Sequence, residues 1–137
     1  MKIFDLHCDT AYEMQKKGVG LSSGLQISLD SIQTLLRPEK YILVTAIWED
    51  PALSHDAAYR HFFSVLSHLK KELSEKTAVP FPETFDCILA VEGCSFVCDD
   101  ISRLAVLYDC GVRIITPVWK GVSEIGGAYD SDEGLTN

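Results

Sequence analysis

The segment YILVTAIW, Tyr41–Trp48, decides the fold. Its eight residues include a single polar side chain, Thr45, so the run is too continuously apolar for a strand with one wet face. It is also far too short to cross a membrane. A run of this kind suits a strand buried on both faces, the habit of parallel sheets covered by helices. Three further apolar, β-branched runs accompany it: Ile3–His7 before, and Cys87–Glu92 and Val112–Val118 after.

Helical periodicity fills the intervals. Over Ser54–Lys76, the residues Ala58, Phe62, Val65, Leu66, Leu69 and Leu73 make one stripe, with Arg60, Ser64, Ser67 and Lys71 largely off it. Ser54 is the expected N-cap, and Pro80 and Pro82 close the segment. Asp99–Cys110 is a second expected helix, with Ile101, Leu104, Ala105 and Tyr108 as its apolar face. Asp99 or Asp100 would cap it and Gly111 would stop it. Shorter helices are predicted over Ala11–Lys17 and Leu29–Leu36, separated by a glycine-containing loop.

Strands alternating with helices predict parallel pairing through right-handed crossovers. The fold class is therefore α/β, read as one domain over 1–137: the N-terminal half of a parallel (β/α) barrel of the TIM type, with about four β/α units. After the fourth run comes SEIGGAYDSDEGLTN (123–137), polar and glycine-rich, with no further helical pattern. A half-barrel leaves apolar surface and an unpaired strand edge. It is expected to form a homo-oligomer or to associate with a missing C-terminal half.

Composition narrows the function. The chain has 137 residues, 47% of them hydrophobic and 23% charged, and carries a net charge of −8. That charge argues against nucleic acid and anionic membranes as partners. The N-terminus, with His7, Asp5 and Asp9, is not a signal peptide. The five cysteines include no CxxC pair and read as reduced structural thiols, which points to a cytoplasmic protein.

Barrel chemistry gathers at the C-terminal ends of the strands. Strand one ends His7-Cys8-Asp9, and in an extended chain His7 and Asp9 point to the same side. An imidazole and a carboxylate converging on one point suit a divalent metal such as zinc. Strand three ends at Glu92, a carboxylate that follows an apolar run and is costly to bury without a cation or donors to meet it. Each feature alone has a bland account, a satisfied His beside a turn-forming Asp, or an acid in a strand-end turn; together at strand ends they favour a metal site. Glu49 and Asp50, before Pro51, read as a solvated loop. Trp48 and Trp119 fit either core rim or pocket wall. His55, His61 and His68 fit surface or helix-packing roles.

The segments DLHCDT (5–10), AVEG (90–93), GVRIITPVW (111–119) and GLTN (134–137) resemble the membrane, or renal-type, dipeptidases and their bacterial relatives, in order and over nearly the whole length. The resemblance implies a β/α barrel with two zinc ions that hydrolyses dipeptides. His7 and Asp9 would bind one metal, and Glu92 would bridge both. The family's further histidine ligands, and an acidic residue near the end of its barrel, belong to a C-terminal half, so this portion is expected to be inactive alone. Where the renal-type enzymes carry a substrate-holding His after the fourth strand, this chain has Trp119, whose expected part is to line the substrate pocket. The alternative is a non-catalytic half-barrel that self-associates and binds metal weakly or not at all. A flavodoxin-like open sheet fits less well, because 8–14 offers no glycine-rich phosphate loop.

Overall fold

A computed structural model describes residues 1–25, 27–75 and 83–136. The elements run β1 (Lys2–Cys8), α1 (Thr10–Lys17), α2 (Leu29–Leu36), β2 (Lys40–Trp48), α3 (His55–Ser74), β3 (Phe85–Glu92), a 3₁₀ turn (Ser95–Val97), α4 (Arg103–Asp109) and β4 (Val112–Thr116). The four strands form one sheet in the order β1-β2-β3-β4, parallel throughout. The alternation of strands and helices read from the sequence is thus the alternation observed.

Unbroken register between β2 and β3 divides the centre of the sheet into two faces. Tyr41 pairs with Phe85, Leu43 with Cys87, Thr45 with Leu89 and Ile47 with Val91. Apart from Thr45 and Cys87, which bond each other at 3.3 Å between Oγ1 and Sγ, these residues belong to the main core with the helices. The other face carries Val44, Ala46 and Ala90 as a small separate cluster. Around it Phe4, Leu6 and Ile114 stay open, at 54, 71 and 42% exposure.

Helix α3 supplies much of the core. Ser54 caps it, its Oγ accepting from Ala57 N at 3.4 Å. Ala58, Phe62, Val65, Leu66 and Leu69 are buried along the expected stripe. Each large apolar side chain so buried contributes about 1.5–3 kcal/mol. The expected end at Lys76 and the closing prolines, Pro80 and Pro82, lie outside the described residues.

Three expectations need correction. The fourth strand ends at Thr116, not Val118, because Pro117 has no N–H to continue a ladder. The helix expected over Asp99–Cys110 starts only at Arg103. Asp99 and Asp100 are engaged elsewhere, Asp99 with His55 and Asp100 with Ser102, while Arg103, Leu104 and Ala105 donate to carbonyls three residues back. The buried face of α4 also differs: Leu107 is buried, whereas Ile101, Leu104 and Tyr108 are exposed. Arg103 stands one turn before Leu107 on the docked face. Its guanidinium pairs with Asp56 at 2.5 Å, donates to Phe96 O at 2.7 Å and lies over the Tyr59 ring, docking the start of α4 on α3.

The third correction concerns Glu49. It is not solvated but 6% exposed. Its N–H extends the β2–β3 ladder by donating to Glu92 O at 2.8 Å, and its carboxylate accepts from Ser95 N at 2.8 Å and from Ser95 Oγ. Asp50 remains a turn acid, accepting from Ala52 N at 2.9 Å.

Candidate metal centre

His7 reaches the site through an irregularity. Asp5 pairs with Leu43 and Cys8 with Thr45, so Leu6 and His7 together oppose the single residue Val44. This β-bulge leaves both side chains exposed. Asp9 has already left the strand, with φ −80° and ψ 19° at the N-cap of α1. His7 and Asp9 therefore converge as expected, but through a bulge and a helix start instead of plain strand alternation. Cys8 turns away, its Sγ 2.6 Å from Thr10 Oγ1.

Glu92 is the last residue of β3, paired with Trp48 on one side and Thr116 on the other. His7 Nε2 lies 3.3 Å from Asp9 Oδ1 and 3.6 Å from Glu92 Oε2. One ligand atom from each of the three residues falls within 4.8 Å of the others. Zinc bonds of the usual length in a tetrahedral shell set ligand atoms roughly 3.3–3.5 Å apart. The donor set, one imidazole and two carboxylates, fits such an ion.

The Glu92 side chain is 14% exposed, against 48% for His7 and 55% for Asp9. Burial pushes the Glu92 carboxyl above its ordinary range; the His7 imidazole draws it down, and the charge of Asp9 pushes it further up. A cation between the two acids would relieve both the burial and the repulsion.

Beside the three residues lies a cavity of about 240 Å³, lined by Asp9, Tyr12, Glu13, Trp48, Glu92 and Trp119. Its aromatic wall is continuous. Tyr12 and Trp48 meet edge to face at 5.2 Å, and Trp48 and Trp119 at 5.7 Å. Both tryptophans line this cavity. Tyr12 stands one turn beyond Asp9 on α1, a contribution that its sequence context gave no reason to single out.

His55, Asp99 and Glu124 form a second group of converging ligand atoms among the described residues. His55 Nδ1 lies 2.6 Å from Asp99 and Nε2 lies 3.6 Å from Glu124, so each ring nitrogen faces one carboxylate. The group ties the start of α3 to the loop before α4 and to the 120–136 segment. Sequence spacing offers no sign of it, since the three residues are far apart along the chain. His61 packs edge-on to Tyr12, a helix-packing role, as expected. None of the five cysteines forms a disulfide. Burial, then the charges of Glu49 and Cys98, push the Cys94 thiol up to about 11. No helix among the described residues is long and apolar enough to cross a membrane.

Searches against protein-family models and against curated proteins find no match to this chain, so its geometry and chemistry carry the functional conclusion.

Proposed function

We propose that this chain is one half of a zinc-dependent dipeptidase, its four-stranded sheet being half of a parallel (β/α) barrel of the TIM type. The observation that carries this is the meeting of His7 Nε2, Asp9 Oδ1 and the Glu92 carboxylate at the C-terminal ends of β1 and β3. Reactive groups gather there in parallel barrels. His7 and Asp9 would hold one ion, and Glu92, with two carboxylate oxygens, would bridge to a second. A bound pair of zinc ions supplies Lewis acidity and water activation for amide hydrolysis. Tyr12, Trp48 and Trp119 would wall the dipeptide and keep bulk water from it. Two zinc ions ask for about four ligands each. With three protein ligands in this group, the rest would come from other polypeptide, and this chain alone would bind metal without turnover. The unpaired thiols suit a reducing compartment such as the cytoplasm.

Zinc titration in competition with a chromogenic chelator, run beside a dipeptide hydrolysis assay, tests this reading. Saturable zinc binding that is lost in His7→Ala and Glu92→Gln is expected. Equal zinc binding by the wild type and both variants would sink it.

A non-catalytic, self-associating half-barrel is the second reading, favoured by the openness of Phe4, Leu6 and Ile114 on one face of the sheet. Loss of zinc from neither variant, together with a concentration-dependent dimer, would favour it over the first.

A further inference from the structure

We propose that Glu49 is a positioning residue for Glu92, its buried carboxylate fixing the turn from which the metal-facing carboxylate projects. This rests on the metal reading given above. Glu92 is the last residue of β3, so its place depends on how the following turn is held as well as on the ladder. Immediately beyond it, Gly93 adopts φ +79° and the chain swings into the 3₁₀ turn. Something must hold that swing if Glu92 is to keep its place.

Glu49 lies directly under the turn. Its N–H holds Glu92 O at 2.8 Å, and its carboxylate holds both the N–H and the hydroxyl of Ser95. One residue thus grips the chain on both sides of Gly93. The fit is close: a Cβ on Gly93 would stand 3.2 Å from Glu49 Cβ and 3.4 Å from its Oε2. On the far side, Gly93 N and Cys94 N donate to Thr116 O and Pro117 O at 2.9 and 3.1 Å, so the turn is clasped between the ends of β2 and β4.

A carboxylate 6% exposed is costly to keep unless its donors matter. An ordinary turn acid, such as Asp50, sits in solvent contact and bonds its own loop. Glu49 instead bonds a residue 46 positions away, across the mouth of the sheet. Its two donors come from the turn that carries Glu92, and it lies outside the metal group itself.

The test is zinc affinity and thermal midpoint measured together for the wild type, Glu92→Gln, Glu49→Gln, Glu49→Ala and Ser95→Ala. Loss of a direct partner of a metal ligand typically weakens metal binding by about 10–100-fold, and Glu49, which reaches Glu92 only through the backbone and Ser95, should fall at the low end. About tenfold weaker zinc is expected for Glu49→Ala and a smaller loss for Ser95→Ala, with Glu49→Gln between them because its amide oxygen still accepts from Ser95. Ser95→Ala deletes only a hydroxyl, so it remains informative if Glu49→Ala fails to fold. A lowered midpoint with zinc affinity unchanged in Glu49→Gln and Ser95→Ala overturns the proposal and leaves Glu49 as a fold clasp. Failure of the metal reading looks different: wild type and Glu92→Gln would then bind zinc equally or not at all, and the positioning role would fall with it.

Discussion

Trp48 and Glu92 stand opposite each other on one rung of the β2–β3 ladder. The same rung therefore sets the aromatic wall of the cavity and the least exposed carboxylate of the candidate metal centre. In a parallel sheet, neighbours in register share a face. The adjacency of the two positions is thus fixed by backbone pairing.

Metal-free Glu92→Gln should be more stable than the wild type at neutral pH. Burial raises the folded-state carboxyl of Glu92 above its unfolded value. The folded state then binds the proton more readily, and stability contributed by the neutral form is lost as pH rises through the window between the two values. Glutamine removes that loss. A rise in thermal midpoint of a few degrees at most is expected at pH 7. The advantage should shrink toward zero below the ordinary carboxylate range, and calorimetry across pH 3–8 would check it. With saturating zinc the order should reverse, because the wild type gains the binding energy of the ion.

Gly93→Ala should be harsher than Gly18→Ala, although both glycines have positive φ, +79° and +64°. Left-handed backbone costs about 1–2 kcal/mol for a residue with a Cβ. At Gly18 a Cβ meets nothing within 4 Å, so that cost stands alone. At Gly93 the new atom also presses on Glu49. Urea unfolding of the two variants should show the larger loss at Gly93, and only Gly93→Ala should weaken zinc binding. Equal losses would show that the Glu49 contact relaxes freely.

Trp119→Ala should leave zinc affinity within about twofold of the wild type, since the side chain walls the cavity without joining the ligand group. In a catalytically complete assembly its loss should appear mainly as a raised KM for dipeptides, with kcat little changed, the pattern of binding lost equally from ground and transition states. Being 43% exposed, it should cost little stability.

Phe4→Lys combined with Leu6→Lys should abolish any self-association without unfolding the chain. Both side chains are more than half exposed on the sheet face away from the helices. Apolar residues clustered in this way mark interaction surfaces. Sedimentation velocity over a hundredfold concentration range would read the outcome, and an unchanged oligomer would place the interface elsewhere.

The sequence made the parallel order legible because YILVTAIW and the α3 stripe are long, uninterrupted patterns whose burial follows from local periodicity. Strand order then sufficed to bring His7, Asp9 and Glu92 to one end of the sheet. The parts that escaped are those decided by distant partners. Glu49 looks like any acid before a proline until Ser95 arrives to bury it. The buried face of α4 goes with Arg103 docking on Asp56 and Tyr59, a contact between helices that no single helix pattern encodes. His55 likewise acquires its role only when the 120–136 segment folds back to it.

The extra residue in β1 has a consequence for how the strand can change. Because two positions share one place opposite Val44, the two ends of the strand are out of phase with each other. Asp5, which meets the Tyr41 hydroxyl at 3.2 Å, and Cys8, which pairs with Thr45, stand three residues apart yet both answer to the helix side. Deleting Leu6 would make the ribbon regular and leave both halves in their present register, with Phe4 still opposite Ile42 and Cys8 still opposite Thr45, so that only the doubled place beside His7 would go. The extra residue therefore has no duty in holding the sheet together, and what its loss would change is how the imidazole is presented.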